Sequence, residues 1–383
     1  MNENFTMVAK CLFGFESLLA KELKNLGAME VKEGVRSVSF KGDNGFMYKA
    51  NMALRTAIRI LKPIKKFKVR DENDLYRQLQ YLKWERYFGA EDTFAIHAVS
   101  SSEKFTHSHY LALKSKDAIA DYFRDKFGNR PNVDLKHPTV QINIHIQRDL
   151  CTVSLDSSGD SLHKRGYRSA TNIAPINEVL AAGLVLLSGY DGTQHLIDPM
   201  CGSGTILIEA AMIANNIPAN INRREFGFEK WNDFDEELFD KIRESLLKRI
   251  RSSDKEIIGF DKSPSAVRKA YGNIKNANLE EFIKLEQENF FNTEKEIEGK
   301  TIVLFNPPYG ERLEIDVPIF YKEIGNTLKH GYPDTDAWLI TSDFDQGLKN
   351  VGLRTSKKIK LFNGKLECRF VKYEMYKGSK KAR

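Results

Sequence analysis

The chain predicts an α/β protein: a parallel, doubly wound sheet closed by an antiparallel hairpin and preceded by a strand-rich α+β region. Three observations carry this. From residue 195 onward, short apolar runs (195–198, 257–261, 283–286, 301–305 and 337–341) alternate with helical stretches, the order of parallel strands with crossover helices. Two runs end at proline, in Asp198-Pro199 and Asn306-Pro307-Pro308, and proline cannot continue a strand. Asn363-Gly364, between two β-type runs, marks a hairpin.

The elements before residue 160 follow from local pattern. Residues 15–27 place apolar side chains at helical spacing and finish on Gly27, a helix with its C-terminal glycine. Residues 35–40 alternate as a strand, and 43–52 form a second helix. The stretch from Lys62 to Arg70 is basic with apolar residues interleaved. Helices follow over 75–82 and 115–127, with strands at 93–99, 140–146 and 150–155, the last two pairing as a hairpin. His97, His107 and His145 share no metal-ligand spacing, so no metal site is expected. Residues 161–168 are short, basic and glycine-containing, a junction.

The 383 residues suffice for two or three domains. The first residues have neither a basic nor an apolar leader pattern, and no apolar run approaches the ~18 residues of a membrane span. Four scattered cysteines without a Cys-x-x-Cys pair fit a reduced, cytoplasmic protein without structural zinc. Charge is uneven. Lys and Arg number 25 against 20 Asp and Glu in residues 1–160, 24 against 30 in 161–354, and 10 against 2 in 355–383. Basic flanks around an acidic centre fit a polyanionic partner gripped from outside the active centre.

Asp198-Pro199-Met200-Cys201-Gly202-Ser203-Gly204-Thr205 reads as strand, glycine turn and helix start, a place where backbone approaches a ligand closely. It lacks the third glycine of a dinucleotide fingerprint and the Gly-Lys-Ser/Thr of a P-loop, which counts against dehydrogenases and NTPases. The Asp198 carboxylate would repel pyrophosphate and suits an ammonium. Asp261 ends the next strand, either gripping a ribose diol or capping a helix. Asn306-Pro307-Pro308-Tyr309 presents two acceptors for an NH2 group and a ring for a planar base.

Taken together, these motifs resemble the class I S-adenosylmethionine-dependent methyltransferases, with residues 198–205 as the cofactor loop and 306–309 as the signature of the amino-methylating branch. His163-Lys164-Arg165-Gly166-Tyr167-Arg168, Ala174-Pro175-Ile176-Asn177-Glu178, Gly310-Glu311-Arg312 and Phe362–Cys368 are similar to RNA methylases carrying a THUMP domain, above all the guanine-N2 module acting on large-subunit ribosomal RNA. The longer bacterial proteins fuse that module to a second methyltransferase; this sequence corresponds to the first. The resemblance implies a Rossmann-like, mostly parallel seven-stranded sheet over 161–383, a ferredoxin-like subdomain over 1–65 and THUMP over 66–160. It implies S-adenosylmethionine bound by Asp198, Pro199, Cys201, Gly202, Ser203, Gly204, Thr205, Asp261 and Asn289, where Asn289 replaces the acid usual in the family.

The resemblance also implies catalysis by Asn306, Pro307, Pro308 and Tyr309. Acceptors at Asn306 and Pro307 would hold the two N–H bonds of an exocyclic amine and Tyr309 would stack on the base, with no general base required. Cys201, inside the cofactor loop, is poorly placed as a nucleophile. Candidates for RNA phosphate are Lys62, Lys65, Lys66, Lys68 and Arg70, with Lys164, Arg165 and Arg168 nearer the centre. Transfer-RNA guanine N2, adenine N6 of RNA or DNA, a protein glutamine, and a non-catalytic RNA-binding assembly role stay open. The oligomeric state is unreadable.

Overall fold

A computed structural model describes residues 3–168, 176–308 and 316–377. Its first sheet is built from β1 (Phe5–Cys11), β2 (Met29–Gly34), β3 (Ser37–Gly42), β4 (Ala57–Lys68), β5 (Thr93–Ser101), β6 (Asn132–Val133), β7 (Val140–Gln147) and β8 (Leu150–Asp156). Helices α1 (Glu16–Leu26), α2 (Asn44–Ala53), α3 (Glu72–Gln80) and α4 (Ser108–Phe127) lie between them. Gly27 closes α1 in the left-handed conformation, and the Asp43 carboxylate caps α2 by accepting the Phe46 N–H at 2.7 Å. α4 begins seven residues, nearly two turns, earlier than the apolar pattern predicts, because of its first seven residues only Leu111 reaches the core.

The strand order is β2-β3-β1-β4-β8-β7-β5-β6. β4 is the spine: Ala57 to Leu61 pair with β1, and Leu61 to Lys68 pair with β8. Residues 65 and 66 are neighbours within this one strand, so the boundary expected between them falls inside a continuous sheet. Pro63 is tolerated because β4 has run past β1 there and a bulge between Pro63 and Lys65 relaxes its pairing with β8.

The second sheet comprises β9 (His195–Asp198), β10 (Ile257–Phe260), β11 (Ile283–Glu286), β12 (Thr301–Phe305), β13 (Thr335–Thr341), β14 (Thr355–Asn363) and β15 (Leu366–Glu374). Its order is β11-β10-β9-β12-β13-β15-β14, parallel from β11 to β13, with β15 antiparallel to β13 and β14 antiparallel to β15. That is the expected sheet and closing hairpin. The turn is shifted by one residue: Asn363 pairs with Leu366, so Gly364-Lys365 forms its centre, with Gly364 at φ 63°.

Helices α5 (Glu178–Leu187), α6 (Thr205–Ala214), α7 (Glu236–Leu247), α8 (Pro264–Asn276) and α9 (Val317–Gly331) complete the second unit. Every residue of α6 is buried, the pattern of a helix covered on all sides. It packs on β9, β10 and β11 and against α5, which meets α1 of the first unit. Arg55 donates to the Met212 and Ile217 carbonyls at 3.1 and 2.8 Å, setting a cation at the carboxyl end of α6. The first unit therefore braces the helix that leaves the glycine loop. No helix among the described residues is long and apolar enough to cross a membrane.

Candidate active site

β9 is flanked by β10 and β12, and the chain runs from β9 toward one edge of the sheet and from β12 toward the other. Ligands of open α/β sheets bind at the strand carboxyl ends beside such a switch point. Leu196 pairs with Ile302 and Ile197 with Val303, so the loop opened by Asp198 and the tip opened by Asn306 emerge side by side. Gly202 and Gly204 take φ of 56° and 79°, conformations that L side chains rarely adopt. The Cys201 N–H donates to the Phe260 carbonyl at 3.0 Å, and Asn273 Nδ2 donates to the Ser203 carbonyl at 3.0 Å. The loop is thus held from both β10 and α8.

Asp198 is 1% exposed. Burial holds its carboxyl well above the usual carboxylate range, and the charge of Asp261 adds to this against one opposing hydrogen bond from the Met200 N–H at 3.2 Å. No cation among the described residues offsets that burial. Asp261 accepts the Gly202 N–H at 3.0 Å and the Ser263 N–H at 2.9 Å, one on each oxygen, which leaves lone pairs on both. It does not cap α8; Ser263 occupies that position. The Cys201 thiol is buried and pushed well up, first by desolvation and then by the Asp198 and Asp261 carboxylates. A buried neutral thiol is a poor nucleophile.

Asn306 directly follows the fully buried strand β12, Pro307 is buried and Pro308 exposed. Asn306 Oδ1 is buried and has no hydrogen-bond partner among the described residues. Such an orphan acceptor costs about 1–3 kcal/mol, so it marks a group awaiting a donor. Tyr309, with Gly310, Glu311, Arg312, Ala174 and Pro175, lies outside the described residues. Asn289 caps a short 3-10 turn by accepting the Phe291 N–H at 3.3 Å, and Phe290 of that turn packs on Phe305 of β12. The chain leaving β11 is thereby fixed against β12.

Two of the basic candidates are corrected. Arg165 is 1% exposed and donates to the carbonyls of Leu162 and Arg55, to Asn220 and to the Glu209 carboxylate, so it ties the two units together and cannot face phosphate. Arg168 pairs with Glu178 at 2.8 Å and donates to Thr205 Oγ1 at 3.0 Å, bracing the start of α6. Lys62 lies over the Phe5 ring and beside Asp233. Lys68 pairs with Asp149, Arg70 with Asp74 and Lys164 with Asp160; Lys65 and Lys66 are exposed and unpaired among the described residues. Sequence reasoning missed Glu209, although a lone acid within the apolar helix Thr205–Ala214 was a signal that a buried partner existed. No metal-binding cluster occurs among the described residues.

The sheet order, the glycine loop after its central strand and the proline-closed tip beside it define a methyltransferase of the open α/β class. Residues 165–372 match the family model described as the RMKL-like methyltransferase domain, 69–156 match the THUMP domain, and 6–61 match the RlmL ferredoxin-like domain. The chain belongs to the RMKL-like methyltransferase domain family. It is 37% identical over 374 residues to the ribosomal RNA large subunit methyltransferase K/L of Syntrophotalea carbinolica, covering 94% of this chain and 52% of that one. The chain thus spans about half the length of that relative. It is 35% identical to a Synechocystis protein provisionally named an RNA methyltransferase, covering 97% of this chain and 96% of that one. The structure of SMU.472, provisionally described as a methyltransferase and solved in complex with SAH, aligns with a TM-score of 0.87 at 32% identity, over 99% of this chain and 100% of that one.

Proposed function

We propose that this protein transfers a methyl group from S-adenosylmethionine to an exocyclic base amine of structured RNA, and that the amine is guanine N2 of large-subunit ribosomal RNA. The observation that carries the reading is the buried Asn306 Oδ1 beside the glycine loop, which has no hydrogen-bond partner among the described residues. The relative named for large-subunit ribosomal RNA and the THUMP match support the choice of RNA.

The residues present fit the cofactor. Asp198 is a buried carboxylate with no offsetting cation among the described residues, and an amino-acid ammonium would supply one. Asp261 retains acceptor capacity for a ribose diol, and the Asn289 carbonyl has a second lone pair for an adenine amine. Gly202 and Gly204 open the backbone between them, with Pro199, Cys201, Ser203 and Thr205 completing the loop. When bound, S-adenosylmethionine supplies an electrophilic methyl on a sulfonium.

The chain's own residues do the rest. Asn306 Oδ1 and the Pro307 carbonyl accept the two N–H bonds of the target amine. This draws its nitrogen out of conjugation, directs its lone pair, and stabilises the positive charge that develops there. Pro307 and Pro308 keep the acceptors rigid, and Tyr309 stacks on the unstacked base. The proton leaves after transfer, so no strong base is required. All four cysteines are buried, and Cys11, Cys151 and Cys201 are free thiols, which suits a cytoplasmic setting.

Asn306→Ala tests the assignment. Methyl transfer to RNA should fall by about 10² or more, while S-adenosylmethionine affinity stays within a few-fold. Equal loss of transfer and cofactor binding would overturn the role of Asn306.

A further inference from the structure

Helices α1, α2 and α4 pack on the first sheet. Its helix side buries Met7, Ile60, Ile144 and Val153, whereas the opposite side presents a groove of about 380 Å³ in which apolar walls from Val8, Leu61, Pro63 and Val99 alternate with polar and charged side chains. Lys10, Arg59 and Lys66 line that groove together with His97 and His145. A second cleft of about 900 Å³ runs between the two units, from Lys136 at the loop before β7 to Arg168, whose guanidinium touches the first residue of α6. Arg59, Gln141 and Asp156 line both cavities, so groove and cleft join into one track that ends beside the cofactor loop.

Charge along this track is one-sided. Every acid lining it has a cationic partner: Asp156 with Arg59, Asp160 with Lys164, Glu178 with Arg168 and Glu225 with Lys230. Lys10, Lys66, Lys136 and Arg224 line it without a carboxylate partner among the described residues. Spare cations spaced along a continuous channel complement a polyanion. The groove floor adds Gln141, Asn143 and Thr152 as donors and acceptors, and two imidazoles able to stack. Burial keeps His97 and His145 below the usual imidazole range, so they meet a ligand as neutral rings. Stacking rings beside hydrogen-bonding side chains recognise unstacked bases, which a duplex does not offer.

We propose that the open face of the first sheet and the cleft between the units form one track for a single-stranded RNA segment, which Lys10, Lys66, Lys136 and Arg224 grip by its phosphates and lead to the Asn306 site. This rests on the RNA methyltransferase reading and names where that substrate lies.

The test is fluorescence anisotropy of a labelled single-stranded oligoribonucleotide, and of the same strand annealed to its complement, over a salt series. Lys10→Glu/Lys66→Glu and Lys136→Glu/Arg224→Glu should each weaken single-strand binding about tenfold or more and flatten the log–log salt slope by about 1.4, two phosphates at ~0.7 each. His97→Ala/His145→Ala should weaken it about tenfold without altering the slope. Lys21→Glu/Lys83→Glu, the same charge change on the helix-covered side, should leave it within about twofold. S-adenosylmethionine affinity, unchanged in all variants, verifies the fold. Equal losses from the control and track pairs, no loss from the track pairs, or tighter binding of the duplex would overturn the track while leaving the methyltransferase reading intact. Wild-type protein that binds neither RNA form would overturn both.

Discussion

Replacing Arg165 with Met removes the central tie between the two units. The guanidinium donates to Leu162 O at 2.9 Å, Arg55 O at 2.6 Å, Asn220 Oδ1 at 3.2 Å and Glu209 Oε1 at 3.4 Å. Its loss strands the Glu209 carboxylate, which is 0% exposed, with the Tyr167 hydroxyl at 3.1 Å as its remaining described hydrogen bond. Breaking a buried pair from one side costs about 3–5 kcal/mol, most of it the uncompensated charge. Glu209→Gln beside Arg165→Met removes that charge and keeps an acceptor for Tyr167. The double variant should therefore recover much of the loss, with a coupling energy of about 2–3 kcal/mol. Urea unfolding followed by tryptophan fluorescence measures this, because Trp84 lies in the first sheet's core and Trp338 in β13. Additive single and double variants, with coupling under about 0.5 kcal/mol, would refute the account of Arg165 as a buried tie.

Other outcomes follow from the same geometry. Binding an ammonium favours ionised Asp198, whose carboxyl burial raises. Affinity for S-adenosylmethionine should therefore fall as pH drops through that raised range, by up to about tenfold per pH unit, with proton release on binding. Calorimetry in buffers of different ionisation heat checks this, and Asp198→Asn should abolish the pH slope. Cys201→Ser should retain methyl transfer within about threefold, since a buried, neutral thiol contributes no nucleophile; loss of turnover with a stable fold would restore a covalent role.

The sequence was most legible where a local rule acts alone. Proline after Asp198 and after Asn306 ends two strands whatever surrounds them, and alternating runs gave the parallel sheet. Long-range pairing was hidden. Pro63 argues against a continuous strand, and only the end of β1 pairing at Leu61 and the adjacent bulge make β4 possible. The run from His163 to Arg168 reads as a phosphate grip because composition cannot reveal that Glu209, 44 residues later, takes Arg165 into the core. Asp261 reads in the sequence as a ribose grip or a helix cap, and nothing local shows that it braces the Gly202 N–H. The spare cations of the track come from β1, β4 and two loops, brought together only by the fold.

The activity proposed for the tip after β12 is methylation of an exocyclic amine of RNA. The most direct measurement incubates the purified protein with unmodified large-subunit ribosomal RNA and methyl-labelled S-adenosylmethionine, then digests the RNA and identifies labelled nucleosides by mass spectrometry. N2-methylguanosine, formed by the wild type and absent with Asn306→Ala, is the predicted result; label found on carbon or ribose oxygen, or label undiminished in Asn306→Ala, would contradict it.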